Sequence, residues 1–197
     1  MFIKVVDNFL SDEVFQMLRN IVYHNRMKWE YRTNSVGKPN MLDKHMQDTD
    51  SNMMASLVYS HNEHSFDFDS VWNMFLLKHQ NIVPFNLPIR IKVNLYFNGG
   101  KKVSHPVHSD MNNPNTPNGL EPDVITSVFN FHDCNGSTNI IKPDKTEEVV
   151  ESKANRIVFF ENGPHYGVTQ DDTPIRMVLN TNVWTTMHEV EPNDFKV

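Results

Sequence analysis

The hydrophobic pattern of this chain changes period once along its length. Met1–Val6 reads as a short strand. Ser11 then suits a helix N-cap, with Asp12 and Glu13 at the end where negative charge is favoured. Val14, Phe15, Leu18, Ile21 and Val22 follow at helical spacing, and Phe9 precedes the cap where a hydrophobic staple would sit. Trp29–Tyr31 reads as a short strand, and Asn34–Asn40 as a loop marked by Gly37 and Pro39. Met41–Ser60 mixes polar and Met-rich stretches and fits neither period. A second helix is predicted from about Asp69 to Gln80, with Val71, Met74, Phe75 and Lys78 on one stripe and Trp72 and Leu76 widening it. Pro84 and Pro88 close that region.

From Ile89 the period becomes two. Ile89, Ile91, Val93, Leu95 and Phe97 alternate with Arg90, Lys92, Asn94, Tyr96 and Asn98, so one face packs on a core and the other presents Asn94 and Tyr96 together. Asn98-Gly99-Gly100 is a turn, and Pro106–Asp110 resumes an extended chain. Met111–Asp123 is rich in Asn and Pro and reads as a long loop, the kind that often serves as a lid. Val124–His132 and Thr138–Ile141 are strands, and Arg156–Phe160 is a strand buried on both faces. Ile175–Trp184 alternates again, with Arg176, Asn180 and Asn182 opposite Ile175, Met177, Leu179 and Val183. Helices followed by about eight short strands predict an α+β, mainly β fold: a sandwich or barrel whose mouth holds a small ligand.

Composition narrows the chemistry. The 197 residues suit one domain, and 39% hydrophobic residues suffice for a core. A single cysteine, Cys134, excludes a disulfide framework and all-cysteine metal sites. Any metal must therefore be held by nitrogen and oxygen, and ten histidines are available. A net charge of -6 argues against a general polyanion binder. With no signal-peptide pattern and no apolar run of membrane-spanning length, a cytoplasmic protein is expected.

The sharpest local feature is His108-Ser109-Asp110. In an extended chain, positions i and i+2 point to the same side, so an imidazole and a carboxylate can share one ion. His165 is the best third ligand, because it follows a buried strand and the turn Gly163-Pro164. Two histidines and one carboxylate on one face of an octahedron leave positions open, the pattern of non-haem Fe(II) oxygenases. Arg176 lies on the next strand with its guanidinium on the polar face, suited to a carboxylate, and Asn94 and Tyr96 are candidates to complete that anion pocket. His-x-Asp alone occurs often by chance; the conjunction with His165 and Arg176 in this order carries the reading. His105 falls on the face opposite His108 and is read as supporting or structural. His79 and His132 lie at element ends and His24, His45, His61, His64 and His188 in polar surroundings, all as non-ligands. Lys101-Lys102 reads as a solvated pair.

The order His-x-Asp, distant His, then Arg in a strand resembles the Fe(II)/2-oxoglutarate-dependent dioxygenases. The resemblance spans roughly Arg90–Trp184 and includes Thr126-Ser127-Val128-Phe129 and Asn135-Gly136-Ser137-Thr138. The start, Val5-Val6-Asp7-Asn8-Phe9-Leu10-Ser11, resembles the entry to prolyl-4-hydroxylase-like members, and the whole chain is similar in style to small oxygenases of cyanobacterial phages. Two features depart from the resemblance: Arg176 stands where collagen-type prolyl hydroxylases use Lys, and neither Phe129 nor Asn130 is the Tyr of many relatives.

The resemblance implies a double-stranded β-helix (jelly roll) core with supporting N-terminal helices, in one domain over residues 1–197, helical support in 1–88 and the core in 89–186. It implies that His108, Asp110 and His165 hold Fe(2+), and that Arg176, helped by Tyr96 and Asn94, binds 2-oxoglutarate. Dioxygen is then the second cosubstrate and ascorbate an optional reductant. The implied reaction hydroxylates a C–H bond of a peptide, protein or small molecule, releasing succinate and carbon dioxide. Asp110 favours hydroxylation over halogenation, since related halogenases lack that carboxylate. The rival readings are an oxidative demethylase of nucleic acid, which the Asn94-x-Tyr96 pairing resembles and the charge disfavours, and a catalytically silent jelly-roll binding module. A phage-encoded chain would work in the host cytoplasm.

Overall fold

The computed structural model describes residues 1–23, 27–32, 53–61 and 70–185. The loop expected over Asn34–Asn40, and His24, His45, His64 and His188, lie outside the described residues. In chain order the elements are β1 (Ile3–Val6), α1 (Asp12–Tyr23), β2 (Glu30–Arg32), β3 (Met53–Ser60), α2 (Ser70–Gln80), β4 (Phe85–Phe97), β5 (Val124–Asn130), β6 (Ser137–Ile141), β7 (Glu147–Glu151), β8 (Arg156–Glu161), β9 (His165–Val168) and β10 (Ile175–Thr185). All strand pairings are antiparallel. A seven-stranded sheet has the order β1-β8-β5-β10-β4-β3-β2, and a three-stranded sheet the order β7-β6-β9. The fold is thus mostly β with few helices. No described helix is long and apolar enough to cross a membrane.

The alternation in β4, β5, β8 and β10 sends side chains to two different cores. On one face Ile91, Val93, Phe129, Phe159, Met177 and Leu179 pack against Phe15 and Leu18 of α1 and Val71, Trp72 and Phe75 of α2. On the other, Met53, Val128, Val158, Phe160 and Val178 meet Ile140 and Val150 of the smaller sheet. Phe9 ties the entry of α1 to this assembly, with its ring 5.6 Å from Phe75, 6.1 Å from Phe129 and 6.0 Å from Phe159. Such pairs contribute about 0.5–1.5 kcal/mol each beyond area burial. Asn155, in the left-handed region at φ 60, clamps the same entry by accepting from the Leu10 amide and donating to its carbonyl.

Several elements differ from their sequence patterns. Residues 1–88 supply helices and also three strands of the large sheet, β1 to β3, as well as the start of β4. That strand begins at Phe85 and runs through Pro88, where a register shift in the pairing with β10 accommodates a residue that has no N–H to donate. The buried face of α2 is Val71, Trp72, Phe75 and His79, rotated from the predicted stripe; Met74 is 44% exposed.

His79 is fully buried among the rings of Phe75, Phe85 and Phe159, with Nε2 3.0 Å from the Ser127 hydroxyl. Burial pushes its imidazole down to about 3. The folded protein therefore keeps His79 neutral, whereas the unfolded chain protonates it near pH 6.5. Between those two values the unfolded state holds the extra proton, so the stability contribution is complete above pH 6.5 and is lost as pH falls, by about 1.4 kcal/mol per pH unit. Urea unfolding of the wild type and His79→Leu at pH 7.5, 6.5 and 5.5 should give curves that differ by this slope. Parallel curves would assign the acid sensitivity to another group.

Candidate metal centre

His108, Asp110 and His165 come together, although two of them belong to no long strand. His108 and His165 form an isolated antiparallel bridge, the amide of each donating to the carbonyl of the other at 2.9 Å. Their rings consequently stand side by side, with centroids 4.6 Å apart. One potential ligand atom from each of the three residues lies within 4.8 Å of the others. His108 Nε2 is 3.9 Å from Asp110 Oδ1, and His165 Nε2 is 4.0 Å from Asp110 Oδ2.

The local chain fixes which nitrogen is free. His108 Nδ1 donates to the Pro106 carbonyl at 3.0 Å, and His165 Nδ1 donates to the Gly163 carbonyl at 2.9 Å. A carbonyl can only accept, so the proton sits on Nδ1 in both rings and the Nε2 lone pairs face the cluster. Burial, and then the neighbouring His165, push the His108 imidazole down, which keeps it a neutral donor.

Asp110 is held as a carboxylate. Burial works against its charge, but Arg90 at 2.8 Å, the nearby histidines and a 3.0 Å hydrogen bond from Asn182 Nδ2 outweigh it. Its pKa therefore lies well below the usual carboxylate range. Asn182 also donates to Thr126 Oγ1 at 3.0 Å and accepts from Arg90 Nε at 3.1 Å, so β4, β5 and β10 together orient this carboxylate.

Arg176 is 1% exposed, the largest fully buried side chain described. Its Nε donates to Ser152 Oγ at 2.9 Å and its Nη2 to Thr138 Oγ1 at 3.3 Å, and no acidic partner contacts it among the described residues. Burial lowers its pKa, as expected for a cation without a counter-charge. Gly136 makes room for it: a Cβ there would lie 2.7 Å from Arg176 Cδ and 2.9 Å from the Val168 carbonyl oxygen. The Tyr96 ring lies 5.8 Å from the guanidinium carbon. Asn94 is 4% exposed, and its Oδ1 has no hydrogen-bond partner among the described residues.

One cavity joins these groups: its wall includes Arg176, Tyr96 and Asn94 together with His108 and His165. Sequence reasoning missed three of its other members, Lys92, Thr138 and His105. His105 does not lie apart from the site; its ring lies 4.9 Å from that of Tyr96, tilted by 40°. His132 instead contacts the Tyr23 hydroxyl, away from the cavity. A groove of about 680 Å³ lies elsewhere, between Thr116–Asp123 and the ends of β5, β8 and β10. The 111–123 loop is tied to the metal side by Asn162, whose Nδ2 donates to the Met111 carbonyl at 2.6 Å and the Glu121 carbonyl at 3.1 Å.

Structural comparison decides the fold. An oxidoreductase of the 2OG-Fe(II) oxygenase family from Burkholderia pseudomallei superposes with a TM-score of 0.61 at 9% identity, over 92% of this chain and 85% of that one. The fold is that of the 2OG-Fe(II) oxygenases. A prolyl-4-hydroxylase from Pseudomonas putida gives 0.57 at 14% identity, covering 93% of this chain and 91% of its own. HygX from Streptomyces hygroscopicus, determined with nickel and 2-oxoglutarate bound, gives 0.56 at 8% identity, covering 93% and 83%. No family model and no curated protein sequence matches the chain. The donor set fits the metal of this fold, since two imidazoles presenting Nε2 and one carboxylate suit a divalent first-row ion and leave coordination positions free. The buried guanidinium without a counter-ion fits a cosubstrate carboxylate.

Proposed function

We propose that the chain is a single-domain Fe(II)- and 2-oxoglutarate-dependent dioxygenase whose two sheets form a double-stranded β-helix. Arg176 carries this reading. A guanidinium sealed in the protein without an acid is costly unless an anion arrives to match it. It stands in the same cavity as two histidines whose free nitrogens converge with Asp110.

In this reading His108, Asp110 and His165 hold the iron, and Arg176 pairs with the far carboxylate of 2-oxoglutarate. The Thr138 hydroxyl, already within hydrogen-bond reach of the guanidinium, and the Asn94 amide are suited to complete the anion pocket. Tyr96 flanks it. With Fe(II) bound, the centre supplies dioxygen activation coupled to conversion of 2-oxoglutarate to succinate and carbon dioxide. Arg90 and Asn182 keep Asp110 ionised and oriented. Val128, Phe160 and Val178 close the apolar side and exclude water. The oxidised group is a C–H bond of a peptide, protein or small molecule, and the 111–123 loop is the candidate selector. Cytoplasmic action remains part of the same proposal.

The deciding experiment combines turnover with binding, because decarboxylation without a prime substrate can be slow. The chain with Fe(II) and 2-oxoglutarate should release succinate, and a chelator should stop it. Mn(II) with N-oxalylglycine should raise the melting temperature, by an amount equivalent to about 2.7 kcal/mol at a hundredfold excess over Kd. A chain that binds neither is not an oxygenase of this class.

A further inference from the structure

We propose that Lys92 is an anchor for an anionic group, a carboxylate or phosphate, on the prime substrate. This rests on the reading of the cavity as an Fe(II)/2-oxoglutarate site. Lys92 occupies β4 two residues from Asn94 and two from Arg90, and period two sends all three to the same face. In the register of the sheet it pairs with Asn180 of β10, one row on from the Arg90–Asn182 pair that holds Asp110. It lines the same cavity as His108, His165 and Arg176.

Two observations argue that its ligand comes from outside. First, among the described residues Lys92 has no hydrogen bond or ion pair and no acidic side chain lines the cavity, Asp110 acting on it only from beyond that lining. Arg90 takes Asp110 for itself, and the nearby Arg32 is matched by Glu30 at 2.8 Å. Burial, and then the charge of Arg90, lower the Lys92 amine to about 8, against the opposing pull of the Asp110 carboxylate.

Second, the charges do not close with the cosubstrate alone. Among the described residues, Arg90, Lys92, Arg176 and a bound divalent metal would be met by Asp110 and a dicarboxylate, which leaves two positive charges unmatched. Depth separates the two free cations. Arg176 is sealed at 1% exposure and suits the small cosubstrate, whereas Lys92 keeps part of its surface exposed. A substrate bearing a carboxylate or phosphate near the oxidised carbon would neutralise it and be oriented by it.

The test uses the intact chain loaded with Mn(II) and N-oxalylglycine, with trifluoroacetate as the anionic probe and fluorine NMR relaxation by Mn(II) as the readout. Wild type should relax trifluoroacetate saturably and leave neutral trifluoroethanol unaffected. In Lys92→Met the effect should fall at least about fivefold, while Lys92→Arg retains it and N-oxalylglycine affinity stays within about threefold of wild type. Unchanged relaxation in Lys92→Met overturns the proposal. So does a loss of N-oxalylglycine affinity as large as the loss of trifluoroacetate, which would make Lys92 a cosubstrate ligand. If the wild type takes up both Mn(II) and N-oxalylglycine yet never relaxes trifluoroacetate, the anion subsite alone is refuted. If it takes up neither, the oxygenase reading fails and the subsite with it. Circular dichroism checks both variants for folding. Should Lys92→Met not fold, Lys92→Gln takes its place, with the same expected loss and the same overturning results.

Discussion

Arg176→Met should raise the 2-oxoglutarate requirement at least about a hundredfold and yet leave the ligand-free protein no less stable. The two effects share one cause. In the free protein the guanidinium is 1% exposed and is satisfied only by the hydroxyls of Ser152 and Thr138. Burying a charge on neutral partners costs several kcal/mol, and replacing buried ionic groups by apolar ones of similar volume is often neutral or stabilising by about 1–4 kcal/mol. At about 2–4 °C per kcal/mol for a chain of this size, the unliganded variant should melt level with the wild type or several degrees higher. Cosubstrate binding should show the reverse, because loss of one partner of a desolvated charge pair costs about 2–5 kcal/mol. Titration with N-oxalylglycine, followed by melting temperature, reads both effects in one experiment, and Mn(II) affinity should stay unchanged. If N-oxalylglycine still binds normally, the anchor lies elsewhere. If the unliganded variant loses stability as well, Arg176 is a structural cation.

Arg176 is legible as a candidate anchor because β10 alternates, Arg176 falling opposite Ile175 and Met177. The same period of two also made Asn94 and Tyr96 visible on β4. It applies equally to Arg90 and Lys92, but charged residues near the start of a strand read as solvated, and nothing local reveals that Arg90 meets Asp110 or that Lys92 lines the cavity with His105 and His108. For His105 the parity argument fails for a different reason. Parity holds only in a regular strand, and this segment is anchored by isolated bridges at Ser104 and His108 with Pro106 between them. β7 and β9, with the sequences EEVVE and HYGV, carry too little alternation to be seen and exist because β6 pairs with both. The rotation of α2 follows from His79, an imidazole whose burial among aromatic rings no hydropathy pattern announces.

Asp110→Ala should abolish succinate formation and weaken Mn(II) binding, and the surrounding network sets the cost in stability. If His108, Asp110 and His165 hold the metal, the substitution takes away the one anionic donor of that set, so Mn(II) affinity should fall by more than the roughly 10–100-fold typical of losing a partner that merely orients a ligand. The fold should lose less than this implies. Breaking a buried ion pair costs about 3–5 kcal/mol when the surviving charge is stranded. Here the survivor is Arg90, whose side chain keeps 24% exposure and its hydrogen bond to Asn182 Oδ1, while Asn182 Nδ2 keeps Thr126. Arg90 as a whole keeps partial exposure although the Nη2 that meets Asp110 is buried, so a loss of about 1–3 kcal/mol is expected after that discount. Electron paramagnetic resonance of Mn(II) reads the affinity and urea unfolding reads the stability. The fold can therefore survive a substitution that empties the centre, and this separates a ligand from a structural acid. A variant that unfolds outright would make the Arg90–Asp110 pair a structural requirement, whereas a folded variant with full turnover would remove Asp110 from the metal set.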